Sequence, residues 1–161
     1  MTIIQLCSGL LVRDDRILLT RCVYAGEKEP LWTLPGGRQE ADETKPQTVA
    51  REFWEEASLR VTVGRLAYAS ESIDVARAQH VMNTTFYIEE SDPKQTPRSQ
   101  DPNVVDVRFV PVADAPALLR ADVLRIPVQA ALTGALDGSY FSFLADEVAE
   151  PFFRTAPESS R

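Results

Sequence analysis

The stretch from Gly36 to Leu59 restricts what this 161-residue chain can fold into more than any other part of it. A short apolar run, Leu31-Trp32-Thr33-Leu34, stops at Pro35-Gly36-Gly37, and a few residues later the text turns helical. Thr44 and Gln47 have the spacing of a capping box, Pro46 is tolerated in a first turn, and Val49, Ala50, Phe53 and Ala57 recur at helical intervals. A helix is therefore expected from Thr44 to near Ser58. On it, Glu52, Glu55 and Glu56 stand at i, i+3 and i+4, so three carboxylates share one face with about 5 to 6 Å between Cβ atoms. Neighbours of like charge repel there by roughly 0.2–0.5 kcal/mol per pair. A divalent cation turns the same repulsion into coordination. A lone Glu-Glu pair would read as a solvated surface. Here the acidic face follows a strand and a Gly-Gly turn, which can bring backbone carbonyl and N–H groups close to a metal or a phosphate.

The remaining composition limits what such a face can serve. Hydrophobic residues make up 44% and charged residues 25% of the chain, values of an ordinary globular protein, so one domain spanning 1–161 is expected. No apolar run approaches about 18 residues, and Met1 to Gly9 lacks the basic-then-apolar plan of a secretory signal, so no membrane partner and a cytoplasmic location are expected. Cys7 and Cys22 each lie in an apolar, strand-like run and read as reduced, buried thiols, which could face each other if their strands pair antiparallel. With His80 the only histidine, any metal must rely on oxygen ligands, which favour hard cations such as magnesium or manganese. The net charge of −7, with no basic stripe, argues against nucleic acid. An acidic protein can still take a small phosphate if cations stand at the site.

Along the chain, Ile3 to Arg13 reads as a strand, Asp14-Asp15-Arg16 as its turn and Ile17 to Val23 as a second strand, forming a hairpin in a buried sheet. Tyr24 to Pro30 reads as a loop. Leu59 to Ile73 and His80 to Ile88 are β-rich, Ser91 to Asn103 is a proline-punctuated surface loop, and Val104 to Val110 is again strand-like. Helical segments are expected around Ala113 to Arg120 and Val128 to Leu136. The irregular alternation suggests an α/β fold with a mixed sheet covered by helices.

Read forward, the central stretch is Gly37, five residues, Glu43, seven residues, then Arg51-Glu52-Phe53-Trp54-Glu55-Glu56-Ala57-Ser58-Leu59. It resembles the signature of the Nudix family: Gly37, Glu43, Arg51, Glu52, Phe53, Glu55, Glu56 and Leu59 all match. Its six polar and glycine positions would coincide by chance on the order of once in ten million starting points, which decides against a plain acidic surface. Leu34-Pro35-Gly36-Gly37 and Glu40 also look like the family's approach to the signature. Ser58 departs from it, standing where the family has glycine at a helix exit that often needs a left-handed backbone.

The resemblance implies a mixed β-sheet sandwiched between helices, with a strand-loop-helix catalytic motif over 37–59. It implies that Glu52, Glu55 and Glu56, with a backbone carbonyl of Gly36 or Gly37, surround one or more Mg2+ or Mn2+ ions. Arg51 fixes carboxylate orientation, Glu43 anchors the loop, and Glu52 is the default general base. The implied substrate is a nucleoside diphosphate joined to another group, or a nucleoside triphosphate, cleaved at a diphosphate linkage. Glu71, Asp101 and Asp106 are further candidates for the base. Arg21, Lys28 and Arg38 flank the site in sequence and are candidates for the distal phosphate, and Trp32 and Tyr24 for stacking a base. His80 sits in a strand-like run and reads better as packed than catalytic. The competing class is a non-catalytic domain that senses a nucleotide. The apolar tail over 140–153, with Phe141, Phe143, Leu144, Val148, Phe152 and Phe153, is expected to pack on the domain or on a second subunit, a homodimer being the reading chosen.

Overall fold

The computed structural model describes residues 1–134 and 139–145 and the backbone of strand Phe153–Thr155. Strand β1 (Thr2–Leu10) is followed by β2 (Val12–Arg13), β3 (Arg16–Cys22), β4 (Leu31–Thr33) and β5 (Gly36–Arg38). Helix α1 (Lys45–Ala57) comes next, then β6 (Val61–Asp74), β7 (Gln79–Glu90) and β8 (Val104–Pro111). A 3-10 turn at Val112–Asp114 leads into α2 (Ala115–Leu118) and α3 (Asp122–Thr133), and β9 (Ser139–Ala145) and β10 (Phe153–Thr155) complete the order.

Two sheets result. The larger is mixed, in the order β10-β9-β6-β7-β1-β5, with β1 parallel to β7 and β9 parallel to β6. In the smaller, β3 pairs antiparallel with β8 along one edge and with β2 and β4 on the other. The run Ile3 to Arg13 is thus divided between two sheets, and only its end makes the expected hairpin, Val12 opposite Ile17. The break falls at Leu11, which is buried and whose carbonyl accepts from the Leu18 N–H at 3.0 Å. Apolar residues on both faces of the run are what a strand crossing between two sheets requires. Cys7 and Cys22 therefore do not face each other: both are free and buried, in different sheets.

Helices close both outer surfaces. Val49, Phe53 and Ala57 of α1 are fully buried and pack with Cys7, Leu11, Leu18, Leu59 and Ile88. A side chain at Gly9 would place its Cβ 2.4 Å from the Phe53 ring, so glycine lets the helix lie directly on β1. The second cluster joins Leu10, Ile17, Leu19, Leu34, Tyr68 and Val110 to Ala115, Leu119, Val128 and Ala131 of the later helices. Helix α3 begins six residues before the expected Val128 and contains Pro127, which removes one intrahelical bond without ending the helix. Left-handed Gly134 closes it, and Leu136 lies outside the described residues.

The tail divides likewise. Phe143 is buried and Phe141 meets Tyr68 edge-on with ring centroids 6.1 Å apart, so β9 packs on the domain. Val148 and Phe152 lie outside the described residues, and of Phe153 only the backbone pairing with Ala145 is described.

Candidate active site

The expected strand-loop-helix unit is present as β4, the Leu34-Pro35 crossing, β5, a polar loop and α1. The crossing is pinned by the Gly9 N–H donating to the Pro35 carbonyl at 3.0 Å. The helix starts as anticipated, with the Thr44 hydroxyl accepting from the Gln47 N–H and the Gln47 side chain accepting from the Thr44 N–H at 2.8 Å. This fixes the rotation of the helix, and with it the direction of the acidic face.

Two glycines bring that face to the turn. A Cβ at Gly36 would lie 2.3 Å from the Cys7 carbonyl oxygen, and one at Gly37 would lie 2.2 Å from Glu52 Oε1. Only glycine permits either approach. The Gly36 N–H donates to Glu56 Oε2 at 3.0 Å. Glu52 and Glu56 are almost inaccessible, at 8% and 6% exposure. Burial pushes the Glu56 carboxyl up to about 8, opposed by the Gly36 hydrogen bond and reinforced by the charges of Glu52, Asp101 and Glu55. Burial also raises Glu52, against the lowering effect of Arg51.

At the other end of the motif the charges are matched. Arg51 Nε donates to Glu43 Oε1 at 2.7 Å and one terminal nitrogen to Glu43 Oε2 at 3.1 Å, a bidentate pair. Thr48 adds a hydroxyl to the same carboxylate at 2.8 Å, and these bonds hold Glu43 down at about 2. The other terminal nitrogen of Arg51 reaches Glu52 Oε1 at 3.0 Å and Glu55 Oε2 at 3.3 Å, and the nitrogen that meets Glu43 Oε2 also donates to the Arg38 carbonyl at 3.1 Å. Arg51 thus ties the loop, through Glu43, to the acidic face.

The donor set fits a hard cation. It consists of oxygens alone, two of the carboxylates are buried with incomplete compensation, and the turn carries no side chain that would fill the space in front of Glu52. Among the described residues no three acidic, His or Cys side chains stand together as a finished cage. Arg51 holds an oxygen of Glu52 and of Glu55, and half-exposed Glu55 is the least committed of the three.

Beyond the glycine turn opens a cleft of about 620 Å³ between β1, β4, β6, β7 and the segment from Ala117 to Leu124. Arg21, Tyr24, Trp32, Gly36, Gly37 and Arg38 line it. Among the described residues Arg21 has no ion pair and its buried Nε no hydrogen-bond partner, and its guanidinium stands 6.0 Å from the centre of the Trp32 ring. Arg108 approaches the same ring at 4.9 Å. Lys28 does not line the cleft: it lies in the exposed loop that contains left-handed Gly26. Asp106 is engaged by Arg108 at 3.3 Å. His80 pairs with Glu71 at 2.7 Å, and since Val81 and Asn83 line the cleft, strand alternation places His80 on the opposite face. The charge of Asp101, outside the helix, bears on Glu52 and Glu56.

Sequence reasoning missed the floor of the cleft, formed by Ser8, Ser70, Ser72 and Asn83. The signal was serine at alternate positions of a strand that otherwise reads as buried. It also missed Gln100. Ser58 adopts the left-handed conformation (φ 54°) that the family glycine suggested, and Gln100 Nε2 donates to its hydroxyl at 3.0 Å and to the Trp54 carbonyl at 3.1 Å. The loop that carries Asp101 is thereby tied to the helix exit, joined by the Gln100 N–H to the Glu55 carbonyl at 2.9 Å.

A mixed sheet whose glycine turn lines a cleft of small-molecule size and leads into a helix with a buried acidic face defines the class of domain. The chain belongs to the NUDIX domain family, whose pattern matches residues 5–130. It is 47% identical over 60 residues to a MutT-like protein of Streptomyces ambofaciens, covering 37% of this chain and 36% of that one. It is 34% identical over 64 residues to a CTP pyrophosphohydrolase of Escherichia coli (strain K12), covering 40% of this chain and 47% of that one. The aligned segments thus span less than half the length of these relatives. A MutT NUDIX hydrolase from Burkholderia pseudomallei superposes with a TM-score of 0.64 at 25% identity, over 80% of this chain and 98% of that one. A MutT protein from Bacillus halodurans superposes at 0.68 with 24% identity, over 96% and 99%.

Proposed function

We propose that this chain hydrolyses a diphosphate linkage in a nucleoside triphosphate, or in a nucleoside diphosphate joined to another group, with Mg2+ or Mn2+ as cofactor. The observation that carries the reading is the pair of buried carboxylates, Glu52 and Glu56, pressed against a glycine turn that also lines the cleft. Glu52 and Glu56 would hold the ion, with Glu55 and a carbonyl of Gly36 or Gly37. When bound, the ion neutralises the diphosphate and lowers the pKa of a water that attacks phosphorus. Glu52 takes the proton, and Arg51, at 3.0 Å from it, sets its orientation. Arg21 and Arg38 bind the distal phosphate, and the unpaired guanidinium of Arg21 supports this role. The relatives described as MutT-like and as a CTP pyrophosphohydrolase support the substrate class.

A panel of nucleotides assayed with magnesium, with manganese and with excess chelator tests the reading. Turnover is expected with either metal and none with chelator. Nucleotide binding without turnover would instead establish a sensor.

The cytoplasm is the proposed location, supported by two unpaired thiols. No helix among the described residues is long and apolar enough to cross a membrane. A homodimer is proposed because Ile3, Tyr140 and Leu144 leave large apolar surface exposed, at 63%, 57% and 55%. A monomeric mass in light scattering at micromolar concentration would end that proposal.

A further inference from the structure

The cleft floor carries more polar chemistry than a phosphate chain needs. Ser70 and Ser72 are i and i+2 on β6 and point to the same side; Ser70 is directly opposite Asn83 of β7, and Leu6 and Ser8 of β1 are opposite Asn83 and Thr85. Ser8, Ser70, Ser72 and Asn83 all line the cleft. Ser70 and Ser72 are 3% and 8% exposed, and their hydroxyls have no hydrogen-bond partner among the described residues. Here the groups face a cavity.

Asn83 is held differently. Its Nδ2 donates to Thr85 Oγ1 at 2.9 Å, its Oδ1 accepts from Ser8 Oγ at 3.3 Å, and the two hydroxyls are themselves 2.7 Å apart. A carboxamide has two N–H donors and two acceptor lone pairs, so one donor and one acceptor remain after these bonds. Both hydroxyls can donate or accept. The network therefore fixes the position of the carboxamide while allowing its oxygen and nitrogen to exchange places.

We infer that Asn83, with Ser70 and Ser72, reads the hydrogen-bonding edge of a nucleobase, making Asn83 a specificity-determining residue of the cleft. The inference rests on the proposed nucleotide substrate and adds which end of it is recognised and how. A fixed carboxamide with one free donor beside one free acceptor matches an amide or amidine edge, which every common nucleobase presents. Serine side chains on the floor are small enough for a flat ring to lie close to the sheet, and a cleft of about 620 Å³ has the size of a small-molecule site. A phosphate presents acceptors alone, and ribose hydroxyls donate and accept without a flat ring to lie on the floor, so ribose 5-phosphate is the comparison.

The test titrates the protein with UMP, CMP, AMP, GMP and ribose 5-phosphate by calorimetry, beside turnover of the matching triphosphates with magnesium. The wild-type protein is expected to bind at least one nucleoside monophosphate about tenfold or more tightly than ribose 5-phosphate, roughly the contribution of a paired edge. Asn83→Leu, of similar volume, should abolish that gap without weakening ribose 5-phosphate. Asn83→Asp, an acceptor only, should weaken GMP least, because guanine offers two adjacent donors. If Asn83→Leu fails to fold, the double variant Ser70→Ala, Ser72→Ala leaves the Asn83 network intact and should narrow the same gap. Equal binding of nucleotides and ribose 5-phosphate, or a gap that survives these changes, overturns the inference even if hydrolysis proceeds. A gap without hydrolysis refutes the hydrolase and leaves the base reading standing.

Discussion

Glu43 and Glu56 are both signature carboxylates, yet the structure treats them in opposite ways. Glu43 receives a bidentate arginine and a threonine hydroxyl and is held down at about 2, so it stays ionised and satisfied. Glu56 is buried with a single backbone N–H and pushed up to about 8, so its charged form lacks compensation. A carboxylate that supports a fold is matched to its partners; one kept for chemistry is left short of them. The motif is therefore matched in charge at one end and short of compensation at the other, with Arg51 bridging them.

Neutral, isosteric changes break the comparison most sharply. Glu56→Gln and Glu52→Gln should each lower turnover by at least about a hundredfold, because each removes a ligand or base that acts in the transition state. Metal-free stability should stay level near neutral pH, where Glu56 is largely protonated, and rise above about pH 8, where the substitution removes a buried charge. Near-normal turnover in both variants would make the acidic face a surface feature. Glu43→Gln should behave in the opposite sense, losing stability without added metal because Arg51 loses its bidentate charged partner. A melting temperature equal to the wild type would remove its anchoring role.

The two carboxylates also predict opposite pH dependences for the metal-free protein. Glu56, raised above the usual carboxylate value, contributes stability that is present below about 4.5 and is lost as the pH rises through about 8, with a slope of at most about 1.4 kcal/mol per pH unit. Glu43, depressed, contributes stability present above about 4.5 and lost as the pH falls toward about 2. Chemical denaturation across pH should show the alkaline decline vanish in Glu56→Gln and the acid decline shrink in Glu43→Gln. A flat profile between pH 5 and 8 would contradict the buried state of Glu56.

The smallest effect concerns the helix exit. Ser58→Gly relieves a left-handed backbone costing about 1 kcal/mol but loses the bond from Gln100, so a net gain under about 1 kcal/mol is expected. Net destabilisation would show that the Gln100 bond outweighs the strain.

The helix, its cap, its acidic face and the left-handed Ser58 were legible in the sequence because each depends on residues within a few positions of one another. The hairpin reading of Ile3 to Arg13 failed because the partners of β1 are β7 and β5, distant in the chain, and no local pattern announces them. For the same reason Arg21 and Arg38 reached the cleft while Lys28 did not: nearness in sequence says little about which way a loop carries a side chain. The serine and asparagine floor is assembled from three strands, and only their register brings it together.

The account stands on Glu52 and Glu56 being a cation site rather than strained structure, and titration with Mn2+ followed by electron paramagnetic resonance tests that directly. The wild-type protein should bind the ion, and Glu52→Gln and Glu56→Gln should each weaken binding by about tenfold or more while Glu71→Gln, on the far face of the sheet, leaves it unchanged. Equal affinity in the wild type and the Glu52 and Glu56 variants, or no binding by the wild type, would contradict it.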